Sequence, residues 1–317
     1  PKIFSSHTPS NGRRPPRGSA SFLPRVRSTP SGAQRLPAGR RPSPTLKMLR
    51  FPREIASTLW QHRRLLWQFT VRNIQARNKG SYLGVVWMVL NPLLMMALYS
   101  TVFGLIFNGR YGMTAGETAI DYALGIFLSL TIFQLISEVM SVSTSIILGN
   151  TNIVKKVVFP LEILPVAQVG ASIYHFLISI CLVFLGMLVF GEQFTWLITL
   201  LPLILIPILL LSLGIGWFFA AVGVFVRDIG SLLQFLTLFL LYSSAVFYSL
   251  HYVPDPIYAV LKFNPVAHLI EQARKVVLWQ QPLQFEPMLY AYLSAIAVFL
   301  IGYFTFRKLK PGFADVL

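Results

Sequence analysis

Past residue 81 the chain alternates long apolar runs with short polar breaks. A membrane helix needs about 20 mostly apolar residues. Six windows meet that length: Tyr82 to Phe107, Tyr122 to Leu148, Val166 to Phe190, Trp196 to Val226, Ile229 to Leu250 and Met288 to Phe306. Six crossings place both ends of the chain on one side. The pattern before them is different. In FPREIASTLWQHRRLLWQFTVRNIQARNKGS, Ile55, Leu59, Leu66 and Phe69 gather on one side of a helical wheel with Trp60 and Trp67 beside them. Gln61, Arg64, Gln68 and Arg72 gather opposite, and Arg63 interrupts the pattern. This predicts a helix lying in the membrane interface, with tryptophans at headgroup level and arginines toward anionic lipid. An ordinary juxtamembrane basic segment is the plainer alternative.

About 37 residues separate the fifth and sixth windows, too many for a plain turn. Pro254 and Pro256 punctuate the first part. Asn264-Pro265 then opens AHLIEQARKVVLW, in which Leu269, Ala273 and Val276 share a helix face. Too short and too charged to cross, the stretch predicts a re-entrant helical pair shielded by protein. The fold class expected is therefore an all-α membrane protein with six transmembrane helices. An N-terminal interfacial amphipathic helix and a re-entrant pair between spans 5 and 6 complete it. The domains run 1–47 as a tail, 48–81 as the interfacial helix and 82–317 as the six-span domain.

Composition agrees with that class. Of 317 residues 55% are hydrophobic and only 12% charged, with a mean hydropathy of +0.63. Soluble domains are about a quarter charged. The single cysteine, Cys181, lies in an apolar run and has no partner for an internal disulfide. The net charge of +16 would suggest nucleic acid if it were spread over a soluble surface. Its location argues otherwise. Ten of the 27 basic residues precede Met48 with no acid among them, in a Pro, Ser, Gly and Arg-rich stretch without apolar period. Such a segment is expected to be disordered. Its bias resembles a transit peptide, and an over-long gene start ahead of Met48 is the plainer account.

The remaining basic residues orient the spans. Arg50, Arg53, Arg63, Arg64, Arg72, Arg77, Lys79, Lys155, Lys156, Arg227, Arg307, Lys308 and Lys310 fall on one face, against Arg110, Lys262, Arg274 and Lys275 on the other. By the positive-inside rule the face with 13 is cytoplasmic, and with it both termini. The loop NTNIVKKVVFPLEILP then faces the cytoplasm. Val157, Val158, Phe159 and Leu161 form an apolar centre framed by Lys155, Lys156 and Glu162. This is the anatomy of a small docking surface, and Pro160 and Pro165 limit any helix to a short piece. A loop that dips its apolar residues among lipid headgroups has the same composition.

Chemistry is sparse. There is no GxxxxGK[ST] loop, HExxH, GxSxG or CxxC, and Glu117, Asp121, Asp255, Glu271 and Glu286 are scattered. No metal site or nucleotide cradle is expected, and enzymatic chemistry finds little support. Two ionisable residues fall deep in spans. Glu138 and His175 both sit roughly a third of the way in from the cytoplasmic face, counting about 1.5 Å per residue, so they can pair. Intramembrane charge is costly and marks either structure or a transport path. Near the end of the fifth window Tyr242, Phe247, Tyr248 and Tyr252 can line a path for sugar rings or form an interfacial aromatic belt.

Four stretches in order resemble the permease subunit of type-2 ABC exporters that move polysaccharides. They are NKGSYLGVVWMVLNPLLMM from Asn78, NIVKKVVFPLEILPV from Asn152, FVRDIG from Phe225 and FNPVAHLIEQARKVV from Phe263. The resemblance implies a homodimer of six-span permeases in a bacterial inner membrane, bound to two separate ATPase subunits. Those partners bind Mg-ATP, and this chain needs no cofactor. The cargo implied is an undecaprenyl-diphosphate-linked glycan such as O-antigen, capsule or teichoic acid. Lys155, Lys156, Val157, Phe159, Pro160, Leu161 and Glu162 would couple to the ATPase. An outer gate would involve Asn264, Pro265, His268, Glu271 and Arg274, with a structural cap as the alternative. The tail before Met48 is foreign to that pattern. A permease for drugs or lipids and a non-transporting membrane scaffold are the rival readings.

Overall fold

The structure is a computed structural model that describes Ile55 and residues 57–78, 86–113, 116–156, 159–191, 193–226 and 228–317, without the side chains of Asn78 and Lys156. The tail before Met48, the start of the interfacial segment and the expected span start at Tyr82 lie outside the described residues, as do Val157 and Val158. Everything described belongs to the second of two compact units, Phe51–Leu317. Among the described residues the regular structure is helical throughout.

In chain order the helices are α1 (Arg63–Asn78), α2 (Val86–Tyr99), α3 (Ala119–Ile146), α4 (Thr151–Lys156), α5 (Ile163–Phe190), α6 (Leu201–Phe225), α7 (Ile229–Ser243), α8 (Asp255–Leu261), α9 (Pro265–Val277), α10 (Phe285–Leu309) and α11 (Phe313–Val316). Pro92 interrupts the backbone ladder of α2, which continues from Ser100 to Ile106 as wide π-helical turns. Thr118 and Asp121 close a reciprocal capping box at the start of α3. Asn264 accepts from the Val266 amide and Pro265 stands in the first turn of α9, where its missing N–H costs nothing.

Five helical stretches are long and apolar enough to cross a membrane: Val86–Ile106, Ala119–Ile146, Ile163–Phe190, Trp196–Phe225 and Phe285–Val316. The fifth expected window, Ile229 to Leu250, is helical only as far as Ser243. Fifteen residues make a helix about 22 Å long, against a hydrocarbon layer of about 30 Å. Hydropathy did not signal the stop because the cause is tertiary. Ala245 takes a left-handed φ of 53°, and the carbonyls of the turn that follows are held by a side chain 29 positions away.

α3 is the centre of the assembly, with most of its side chains buried. α6 and α10 cross at Gly214 and Gly302, where backbone meets backbone and a Cβ on Gly302 would collide with the Gly214 carbonyl. Gly223 lies equally close to Thr144 of α3. Small residues permit such approaches, which supply the dispersion contact that holds helices together where lipid competes for apolar surface. By contrast α2 buries no side chain and α7 only Ile229, Leu233 and Ser243. These two helices lean on α3 and leave open space between them.

Candidate functional site

That space is polar. Thr131, Gln134, Glu138 and Ser141 recur at three- and four-residue spacing and share one face of α3. They border two neighbouring cavities of about 540 and 890 Å³. The first extends past Asn91, Tyr99, Thr131 and Ser179, and the second past Asn73, Ser141, Gln168 and Gln234. Both are bordered by Arg77, Gln134, Glu138 and His175.

Glu138 is compensated as its depth requires. Arg77, in the last turn of α1, donates to Glu138 Oε1 over 2.6 Å. His175 of α5 places Nδ1 at 3.2 Å from the same oxygen and 2.9 Å from Arg77 Nη1. An unpaired carboxylate in a span costs about 3 kcal/mol on insertion scales, and the guanidinium removes most of that penalty. The expected pairing of Glu138 with His175 is present. Arg77 was missed because it belongs to a segment whose basic residues read as lipid-facing. Among the described residues His175 Nε2 is buried without a partner, and Nδ1 faces both the Glu138 carboxylate, to which it can donate, and the Arg77 guanidinium, from which it can accept.

A second polar centre lies beyond the end of α7. Arg274 of α9 is fully buried. Its Nη1 donates to the carbonyl of Ala245 at 2.8 Å, and its Nη2 to the carbonyl of Tyr248 at 3.2 Å and to Glu271 Oε2 at 2.6 Å. Tyr111 lies against the guanidinium, 4.2 Å from its ring centroid, with Trp279 at 5.4 Å. The Tyr111 hydroxyl donates to Val246 O and that of Tyr122 to Phe247 O. Burial pushes the Tyr111 phenol up, against the pull of Arg274, so it remains a donor. Glu117 accepts from the amides of Tyr111 and Gly112 and fixes that loop.

The candidates for an outer gate are thus drawn to one turn. Asn264 donates to Ser243 and Ser244, Glu271 accepts from Ser249, and Arg274 grips the carbonyls between. His268 stands apart, donating to the Lys262 carbonyl. The aromatic candidates disperse. Phe247 is buried and stacks on Phe103 at 4.4 Å, the Tyr248 hydroxyl donates to Tyr242 O, and Tyr252 donates to Gly112 O. Of the five residues considered for a path, only Glu138 borders either cavity.

At the opposite end, the Lys155 to Glu162 segment divides. Lys155 is exposed, Phe159 and Pro160 are half-buried, and Leu161 is buried in a cluster with Trp217 and Phe313. Glu162 accepts from Lys310 at 2.8 and 2.9 Å, and its carbonyl accepts from Trp217 Nε1. The Phe159 ring packs on Phe69 of α1 at 5.4 Å. Ile55 is buried, and Leu59 and Phe69 pack beside it, whereas Trp60 and Trp67 stand exposed with Arg63 and Arg64. Arg63 donates to the Trp60 carbonyl and lies over its ring.

The family profile of ABC-2 type transporters matches residues 64–278, two thirds of the chain and the whole run from α1 through α9. The chain belongs to the ABC-2 type transporter family. Such a chain is a multi-pass membrane subunit that serves transport and is not itself catalytic. Among curated proteins this ABC-2 chain is similar to the O-antigen export system permease protein RfbA of Klebsiella pneumoniae, 26% identical over 255 residues, covering 80% of this chain and 95% of the relative. The protein of the same name from Myxococcus xanthus is 26% identical over 256 residues, 80% and 93% of the two chains. The polysialic acid transport protein KpsM of Escherichia coli is 26% identical over 216 residues, 66% and 79%.

Proposed function

We propose that this ABC-2 chain is the permease subunit of an ATP-driven exporter that carries a lipid-linked polysaccharide, of the O-antigen or capsule kind, across the bacterial inner membrane. The observation that carries this reading is the match to O-antigen export permeases along almost their whole length. In this reading α7 completes a sixth span together with the turn after it, α8 and α9 form the re-entrant pair, and both termini are cytoplasmic. α1 and the residues just before it lie at the lipid interface, with Trp60 and Trp67 among the headgroups.

The working unit is a homodimer that pairs the exposed apolar faces of α2 and α7. Each copy docks one ATPase, which binds Mg-ATP, through Lys155, Lys156, Val157, Phe159 and Pro160. Leu161 and Glu162 brace that surface from within. The polar face of α3 around Glu138 lines the path for the undecaprenyl-diphosphate-linked glycan, and Tyr242, Tyr248 and Tyr252 lie toward its exit. Asn264, Pro265, Glu271 and Arg274 frame the outer mouth.

The test is co-purification of Met48–Leu317 with a candidate ABC ATPase from the same organism, next to a Lys155→Glu/Phe159→Asp variant, scoring association, ATP hydrolysis and surface polysaccharide. Association and export by the parent, both lost in the variant, are expected. Association without any polysaccharide at the cell surface would refute the cargo. Equal association by both proteins would refute the docking surface.

A further inference from the structure

The cluster Arg77–Glu138–His175 sits where the two cavities meet, and its cation comes from a helix that also touches the docking segment. α1 runs from Phe69, against Phe159, to Arg77, against Glu138, a separation of about 12 Å along the axis. Between these ends α1 is held at two points. Arg72 donates to the Asn150 side chain at 3.0 Å, and Thr70 lies so close to Gly170 that a Cβ there would approach its hydroxyl to 3.0 Å. A helix is stiff along its axis, so displacement of Phe159 by a docked partner is transmitted to Arg77.

Two of the ion pairs among the described residues differ in a way that suits different tasks. Arg274 and Glu271 are 0% and 9% exposed and form a closed lock. Arg77 is 43% exposed while Glu138 is 10%. The guanidinium therefore has open space to leave into, and the carboxylate keeps His175. Ser141, Thr144 and Gln168 border only the cavity nearer the docking segment, while Asn91, Thr131 and Ser179 border only the deeper one. Removing the Arg77 side chain from the junction would join the two along the polar face of α3.

We propose that Arg77 is a positioning residue that acts through Glu138. It keeps the deeper cavity closed from the cytoplasmic one, and movement of α1 with the docked ATPase withdraws it. This rests on the topology and the ATPase docking proposed above. In the withdrawn state Glu138 and Gln134 are free to take hydrogen bonds from a hydroxylated cargo, so opening of the path is tied to the state of the partner.

The experiment uses the permease–ATPase complex in inverted membrane vesicles, with Cys181 replaced by Ser and single cysteines introduced as Ser141→Cys or Ser179→Cys. A membrane-impermeant sulfonated maleimide is added from the cytoplasmic side. Labelling rate follows the population of the open state. Without nucleotide Ser141→Cys should label readily and Ser179→Cys about tenfold more slowly. Trapping with a non-hydrolysable ATP analogue should raise the Ser179→Cys rate about fivefold or more. Arg77→Gln should raise it without nucleotide, and the charge exchange Arg77→Glu/Glu138→Arg should return it toward the slow value. A Ser179→Cys rate indifferent to nucleotide in the otherwise unaltered chain, or a charge exchange as fast as Arg77→Gln alone, overturns the gate and leaves the exporter reading intact. Failure of Ser141→Cys to label from the cytoplasmic side overturns the proposed topology and the gate with it.

Discussion

Arg274→Met is the substitution whose cost can be worked out most fully from the structure. Methionine fills much of the volume but supplies no donor. Glu271, with its side chain 9% exposed, loses its cation, and removal of one partner from a buried pair costs about 3–5 kcal/mol. The carbonyls of Ala245 and Tyr248 lose the guanidinium donors at 2.8 and 3.2 Å, at about 1 kcal/mol each. Val246 O keeps the Tyr111 hydroxyl. Protonation of Glu271 limits the electrostatic loss, and the contributions are not additive, so the net expected is about 5 kcal/mol.

For a chain of this size that corresponds to a fall in Tm on the order of 10–15 °C, read by tryptophan fluorescence on the purified complex. The decisive comparison is Arg274→Met/Glu271→Leu, which removes both charges of the pair. It should be more stable than Arg274→Met alone by about 2 kcal/mol. A fall of under about 3 °C for Arg274→Met, or a double variant as unstable as the two single losses added together, would show that the pair does not hold the turn after α7.

Four further outcomes follow from the packing. Gly302→Ala places a methyl group in the Gly214 carbonyl and should cost about 1–3 kcal/mol in the same thermal assay. Gly312→Ala, whose Cβ would meet only the Phe225 ring at 3.4 Å, should be neutral. Tyr111→Phe keeps the ring on Arg274 but removes the 2.7 Å bond to Val246 O. It should cost about 1 kcal/mol, well below Arg274→Met. Thr118→Ala dissolves the capping box at α3 and should cost about 1 kcal/mol, seen as faster proteolysis or hydrogen exchange at residues 118–122.

Hydropathy located most of the long helices. Tyr122 to Leu148 against Ala119–Ile146, or Val166 to Phe190 against Ile163–Phe190, differ by a few residues because a window of apolar side chains has little choice of structure where the backbone must satisfy its own hydrogen bonds. Asn264-Pro265 announced the start of α9, since side-chain cap and fixed φ act within two residues of themselves. The burial of Leu269, Ala273 and Val276 on that helix was legible in their spacing. Glu138 and His175 stood out because charge in an apolar run is expensive wherever it lies.

What the sequence left undetermined depends on residues far apart in the chain. The stop after Ser243 is imposed by Arg274, whose charge reads as a loop residue until the fold buries it. Arg77 looks like one more lipid-facing base until α1 is laid along α5 and its guanidinium reaches Glu138 of α3, 61 positions away. Leu161 and Glu162, which read as part of an exposed surface, turn inward because Trp217, Phe313 and Lys310 are waiting there. Local propensity and hydropathy depend on neighbours within a few residues, and so the sequence determined which segments are helices. Which polar side chains lock and which are free to move is decided by pairings between helices, and only the tertiary structure brings those together.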